Sequence, residues 1–244
     1  MIKLALTTAT LMTGALSGCI NWNDGVEMQI GNPGEETVQV AEFTKLGVAG
    51  PYEVIVTQGD SFSVQASGPQ NVIDHTEFRV ENGELKIRTE RPDGDSISWE
   101  GGDPKVTITI TAPSIEAASI AGSGSIDIDN VEVTRFSGEI AGSGDIRVAQ
   151  LSAENASFEI AGSGDVQAAG TTQRLTVEIA GSGAFENPDM NAEEADISIA
   201  GSGDVAANVT GEADISIAGS GDVNITGGAK CSISKVGGGD VVCS

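Results

Sequence analysis

Five aspartates recur at one place in a repeated string. Asp145, Asp165, Asp204, Asp222 and Asp240 each follow the closing glycine of a Gly-Ser-Gly or Gly-Gly-Gly turn, while Ser125 and Ala184 hold the same place in two other copies. A column of carboxylates invites a divalent cation. Calcium repeats of the GGxGxD kind set the acid two residues beyond the glycine and repeat every nine residues. Here the acid follows directly, the spacing is doubled and two copies lack it, so successive turns cannot share an ion in that geometry. Unpaired carboxylates one strand apart repel by only about 1 kcal/mol in water. No metal site is therefore expected. The five aspartates are read as a solvated acidic edge and, at most, as weak divalent candidates.

The other reactive types form no catalytic set. The corner serines Ser123, Ser143, Ser163, Ser182, Ser202 and Ser220 have no base beside them in the pattern and are read as a turn ladder. The single histidine, His75, lies in the first half in a Val-Ile-Asp-His-Thr stretch and is read as a loop residue. Arg135, Arg147 and Arg174 are not expected to share one column, and no row of exposed aromatics suited to sugars is visible. Cys231 and Cys243 both fall in the last repeat and are disulfide candidates in an oxidising compartment. The alternative is two buried thiols on opposite walls. No cofactor is implied.

Composition narrows the function further. The 244 residues carry 36 acidic and 12 basic side chains, for a formal charge of −24, so nucleic acid is not expected as a partner. Hydrophobic residues still make up 39%, too many for a disordered acidic chain.

The elements that hold these residues come from the repeat itself. IAGSG occurs at 120–124, 140–144, 160–164, 179–183, 199–203 and 217–221, and a degenerate KVGGG lies at 235–239. The spacings are 20, 20, 19, 20, 18 and 18 residues. Apolar and polar residues alternate on both sides of each turn. Phe158, Val177, Ile197, Ile215 and Ile233 form one inward column, and Ile120, Ile140, Ile160, Ile179, Ile199 and Ile217 another. Ser119, Glu139, Glu159, Glu178, Ser198, Ser216 and Ser234 sit between them and face out. A third inward column, Ile126, Ile146, Val166, Phe185, Val205, Val223 and Val241, resumes after the turn. One coil is thus a strand, a corner, a second strand and a return segment, with no room for a helix of ten residues. The corner glycines are expected to need positive φ and close backbone approach. They are Gly122 and Gly124, Gly142 and Gly144, Gly162 and Gly164, Gly181 and Gly183, Gly201 and Gly203, Gly219 and Gly221, and Gly237 and Gly239.

The fold class is all-β: a parallel β-solenoid of about seven coils of 18–20 residues over 117–244, preceded by an N-terminal β portion over 38–116. In that portion Phe43–Val48, Tyr52–Val56, Ser61–Val64 and Val106–Ile110 read as strands. Glu77–Glu81 and Glu84–Arg88 flank Asn82-Gly83 as a β-hairpin. The portion is expected to cap or begin the solenoid, since a bare end would pair with other chains.

Several of these features occur together in one known family. They are Phe43-x-x-Leu46, the Gly50-Pro51-Tyr52-x-Val54 strand, the Asn82-Gly83 hairpin, Thr109-Ile110-Thr111-x-Pro113 and the repeated GSGD corners. In this the chain resembles the bacterial envelope family called putative auto-transporter adhesin, head GIN domain, over roughly 38 to 242. The resemblance implies a β-solenoid in the cell envelope with no established catalytic residues.

The N-terminus supplies an address. Lys3 precedes an apolar stretch over residues 4–15, too short for a stable membrane span, which ends in Leu16-Ser17-Gly18-Cys19. This resembles the bacterial lipobox and makes residues 1–18 a lipoprotein signal peptide and Cys19 the lipidation site. An ordinary secretory signal with a chance cysteine is the alternative. Ile20 rather than an aspartate follows, which by the sorting pattern of enteric bacteria resembles an outer-membrane destination. Residues 19–37 are polar, contain Asn32-Pro33-Gly34 and are expected to form an acidic tether. The expected function is a noncatalytic, lipid-anchored envelope protein with a rigid acidic surface for adhesion, binding or scaffolding. Its partners would be the membrane, through the anchor, and an envelope protein or glycan. The rival is a polysaccharide-active β-helix enzyme, which would need a convergent carboxylate pair with Arg or Lys in a groove.

Overall fold

In the computed structural model the described residues are 26–90, 97–100 and 104–244, so Cys19 and the signal segment lie outside them. The first half contains β1 (Val26–Gln29), β2 (Pro33–Val38), β3 (Lys45–Ala49), β4 (Tyr52–Gln58), β5 (Ser63–Pro69), the short helix α1 (Gln70–Ile73), β6 (Thr76–Glu81), β7 (Glu84–Thr89), β8 (Ile97–Glu100) and β9 (Val106–Ala112). The repeats contain β10 (Ala117–Gly122), β11 (Ser125–Ile128), β12 (Val131–Gly142), β13 (Asp145–Gly162), β14 (Asp165–Gly181), β15 (Ala184–Gly201), β16 (Asp204–Gly219), β17 (Val223–Thr226), β18 (Lys230–Gly237) and β19 (Val241–Cys243).

The repeats stack as a parallel β-solenoid of about 6 turns, the last corner belonging to an incomplete coil. Register follows the repeat: Ile120, Ile140, Ile160, Ile179, Ile199 and Ile217 pair in succession, and Lys235 continues that column. Like side chains therefore lie over like, about 4.8 Å apart. Before the last coil the inward columns are closed to solvent, each buried Ile or Val contributing roughly 1.5–3 kcal/mol. Inside, Phe136, Phe158 and Phe185 make tilted contacts with centroids 5.8 and 5.1 Å apart. Gly138 leaves room for this stack: a Cβ there would lie 2.7 Å from Phe158 Cδ1.

The N-terminal portion both begins and caps the solenoid. β3 and β4 form a coil of their own, pairing in parallel with β10 and β11. Gly50 occupies the corner with φ +134, and its N–H donates to the Ala121 carbonyl at 3.1 Å. β7 and β9 lie beyond this coil, so stacking order departs from chain order. The cap is antiparallel: β6 on β7, β5 on β9, and β2 on β5. The hairpin between β6 and β7 turns through Asn82 and Gly83, both at positive φ, as an Asn-Gly turn requires. One hydrophobic cluster runs through both halves, so residue 116 marks a change in connectivity and no break in the core.

One expectation is corrected here, and one element is new. The tether is shorter than 19–37, because Val26–Gln29 pairs with Ile97–Glu100 and Pro33–Val38 pairs with β5. β2 is a largely exposed edge strand, so it lacks the apolar alternation that identifies strands in a sequence. Pro33 sits at its first residue, where a missing N–H is tolerated. The helix α1 was not expected; its four residues are too few to show periodicity, although Val72 and Ile73 are buried.

The C-terminal end is built differently. Among the described residues β18 pairs with β16 alone, and Ile233 is 50% exposed although its column mates Ile197 and Ile215 are buried. Two lysines, Lys230 and Lys235, guard this edge against strand pairing.

Candidate binding surface

Each corner is fixed by two different glycine requirements. The first glycine of every copy has positive φ, from +123 at Gly122 to +147 at Gly219. The second glycine does not. Gly203 is required by proximity instead: a Cβ there would stand 2.5 Å from the Gly183 carbonyl oxygen and 2.6 Å from Ile179 Cγ2. The expectation of positive φ at both positions is thus corrected. The corner serines form a ladder through the backbone: the Ser163, Ser182, Ser202 and Ser220 N–H groups each donate at 2.8 Å to the first corner glycine of the coil before.

The aspartate column carries out a structural task. Asp165 N–H donates to Asp145 Oδ1 at 3.1 Å, and Ala184 N–H to Asp165 Oδ1 at 3.0 Å. Asp222 N–H donates to Asp204 Oδ1 at 2.9 Å, and Asp240 N–H to Asp222 Oδ1 at 2.8 Å. Each of these four carboxylates caps an amide at the same corner of the next coil. Where Ser125 holds the column, Asp145 N–H turns to the Gly124 carbonyl at 3.1 Å. Among the described residues no three His, Cys, Asp or Glu side chains are placed to hold a metal ion. Replacing Asp204 by alanine is expected to cost about 1 kcal/mol through the loss of one charge-assisted bond. Replacing it by asparagine keeps an acceptor and should cost less. Thermal melts with alanine and asparagine equally stable would show that the ladder contributes nothing.

The outward side of the strands before each corner is a wall of columns. The alanines Ala121, Ala141, Ala161, Ala180, Ala200 and Ala218 run beside the corner, and Glu139, Glu159 and Glu178 stack in the next column out. Arg135, Asn155, Arg174, Glu194, Glu212 and Lys230 form a further column. The three arginines do not align in one column: Arg135 and Arg174 share this one, while Arg147 lies on the wall after the corner. Counting back from each corner shows it: both arginines stand five residues before the residue that opens its IAGSG string. Arg174 donates to Asn155 Oδ1 at 3.3 Å and to Glu194 Oε2 at 3.0 Å. Arg147 donates to Asp127 at 2.8 Å and to Gln167 at 3.0 Å.

Two adjoining grooves lie where the repeats meet the first coil. The larger, about 930 Å³, runs between Ser114–Ser119 and Glu132–Ser137 and is edged by Lys45, Glu84, Glu139, Asn155 and Arg174. The smaller, about 460 Å³, has a floor of Gly47, Ala49, Ser119 and Ala121 between Lys86 and Arg88 on one side and Glu139 and Glu159 on the other. The basic wall is already matched by carboxylates. Arg88 pairs with Glu77 at 2.6 Å, and Lys86 pairs with Glu81 at 3.1 Å. Lys86 and Arg79 hold the Glu81 carboxyl below its ordinary range. These groups are exposed, so the pairs add little stability.

The remaining candidates stand apart from the grooves. His75 follows α1 in the cap, with Nδ1 against the Asn71 carbonyl at 2.7 Å. Cys231 and Cys243 continue the columns of Ala213 and Ile225 and are joined by a disulfide with Cα atoms 6.6 Å apart. One residue escaped the sequence reading. Asn187 is buried, donating to the Val166 carbonyl at 3.0 Å and accepting from Ala168 N–H at 2.5 Å. It bridges a register break in β15. Its signal was a polar residue in the inward column of Ala207 and Ile225, next to Pro188.

The fold and the repeated outer wall define a capped parallel β-solenoid. A family model described as putative auto-transporter adhesin, head GIN domain, matches residues 42–229, and the chain belongs to that family. Solved structures agree in fold. A putative adhesin from Bacteroides fragilis NCTC 9343 is 22% identical with a TM-score of 0.77, covering 89% of this chain and 100% of its own. A structure named as a putative lipid binding protein from Parabacteroides distasonis ATCC 8503 is 24% identical with a TM-score of 0.72, covering 88% and 99%. A putative adhesin from the same organism is 19% identical with a TM-score of 0.70, covering 89% and 100%. No curated protein matches the chain.

Proposed function

We propose that this chain is a noncatalytic, lipid-anchored protein of the bacterial envelope whose acidic solenoid wall serves adhesion, binding or scaffolding. The observation that carries the reading is the wall itself. Parallel stacking lays small and acidic residues in unbroken columns on a rigid frame, and two grooves open at its junction with the first coil. The polar groups with a chemical look are engaged in the frame: the corner carboxylates cap amides, and Arg174 and Arg147 bridge neighbouring coils. Membership in a family described as adhesins, and fold relatives named as adhesins and as a lipid binding protein, support an envelope role.

Cys19 carries the anchor in this reading, with several acyl chains holding the protein more firmly than one could. Cys19→Ala is expected to release the protein from the membrane fraction and abolish its acyl mass increment. A variant that stays acylated and membrane-bound would refute the anchor. Pull-down from intact envelopes with the full mature chain should recover an envelope protein or glycan, and polysaccharide hydrolase and lyase assays should show no turnover. Turnover would refute the noncatalytic reading.

A further inference from the structure

The start of β12 is a sheet edge within the repeats that no strand among the described residues covers. β10 pairs with β12 over 137–142, and β13 pairs with the other side of β12 along its whole length. On the N-terminal side Val131–Phe136 has no strand partner among the described residues. The nearest main-chain bond there is Ser137 N–H to the Glu116 carbonyl at 3.0 Å. The cause lies in the connectivity. The chain passes from β9 to β10 through 113–116, so the side of the solenoid that continues through Leu151, Gly170 and Met190 in later coils begins at β12. The 930 Å³ groove lies along this edge, bounded opposite by Ser114, Glu116 and Ala117. An open edge beside a long groove is the geometry in which an extended segment adds a strand, main-chain bonds giving affinity and side-chain contacts giving specificity.

Charge selects the occupant. Glu84, Glu116, Glu132 and Glu139 line the groove against Lys45, Arg135 and Arg174. Arg174 is already bound to Glu194. Glu84 is paired with Lys86, and of the lining charges that take part in none of the ion pairs among the described residues three are acidic, Glu116, Glu132 and Glu139, against two basic, Lys45 and Arg135, an excess of one carboxylate. The formal charge of −24 adds a long-range attraction for cations.

We propose that this groove binds an extended peptide segment of a partner protein, added as a strand on Val131–Phe136, with a cationic side chain set against Glu116 and Glu132. The proposal rests on the binding reading above and names its surface and partner class.

The test uses the full mature chain and three capped octapeptides: alternating Thr and Lys, alternating Thr and Glu, and the Thr-Lys peptide N-methylated on every backbone nitrogen. The Thr-Lys peptide should bind and slow amide exchange at Val131–Phe136. The Thr-Glu peptide should not bind. The methylated peptide, with charge intact and its donors gone, should bind at least about tenfold more weakly. Glu132→Lys, an exposed change, should weaken binding by about as much, whereas Glu186→Lys on the wall after the corner should leave it within about twofold. Equal binding of the methylated peptide, equal effects of the two variants, or protection away from β12 would each overturn the proposal. So would a glycan, detected on an array, that competes for Glu132 where no peptide binds. Envelope capture that survives Glu132→Lys would overturn this groove assignment while leaving the envelope-binding reading intact.

Discussion

Replacing Gly201 by valine is expected to destabilise the protein by about 3 kcal/mol or more. Gly201 has φ +138, and a Cβ built on it overlaps the Gly181 carbonyl oxygen of the coil beneath. A β-branched residue meets both obstacles together, and the obstacle is backbone, which cannot rotate away. At this chain length such a loss lowers the melting temperature by roughly 6–12 °C. Gly203→Val should also be damaging, through contact with the Gly183 carbonyl and Ile179 alone, since its φ is ordinary. Asp204→Asn should stay within about 0.5 kcal/mol, because an acceptor for Asp222 N–H survives. The order Gly201, Gly203, Asp204 in thermal melts is the expected outcome. A Gly203→Val variant as stable as Asp204→Asn would mean that the corners are looser than this stacking requires.

Reducing the Cys231–Cys243 disulfide should fray the last coil and spare the middle ones. The bridge spans a sequence separation of 12, for which the chain-entropy account gives about 3 kcal/mol of restriction on the unfolded segment. The coil it closes is the least supported. Among the described residues β18 has a neighbour on one side alone, Ile233 is half exposed, and Lys235 stands where each IAGSG coil has an isoleucine. Solenoid stability is close to a sum of nearest-neighbour terms, so damage at one end need not spread. With reductant, amides over 231–243 should lose exchange protection while those over 160–200 keep theirs. Protection that does not change on reduction, or two free thiols in the exported protein, would show that the bridge does not support this end.

Much of the fold was legible in the repeat because the repeat is long and strict. Six copies of IAGSG, with alternating apolar columns on both sides, determine which side chains turn inward and how the coils register. A one-residue slip would expose every isoleucine of a strand. The Asn82-Gly83 hairpin was equally visible, since the turn type demands those residues. β2 and α1 were not visible, because one is an exposed edge and the other is four residues long.

The candidate surface was less legible, for a different reason. The sequence placed the aspartates in one column, but not whether a carboxylate beside its neighbour meets a cation, water or an amide. That depends on the corner geometry, which brings Asp222 N–H within 2.9 Å of Asp204 Oδ1. Likewise, local pattern showed that corners need glycine, while tertiary stacking decided that the first needs it for its φ and the second for the carbonyl above which it lies. The groove and the open edge of β12 arise from the crossing of 113–116 over the first coil, a long-range choice of connectivity that leaves no mark in local periodicity. By itself the sequence determined the coil, its inward columns and its corners, because these follow from near-neighbour sterics and burial. Tertiary structure decided the order of stacking, the cap and the free edge, because these depend on which distant strands meet.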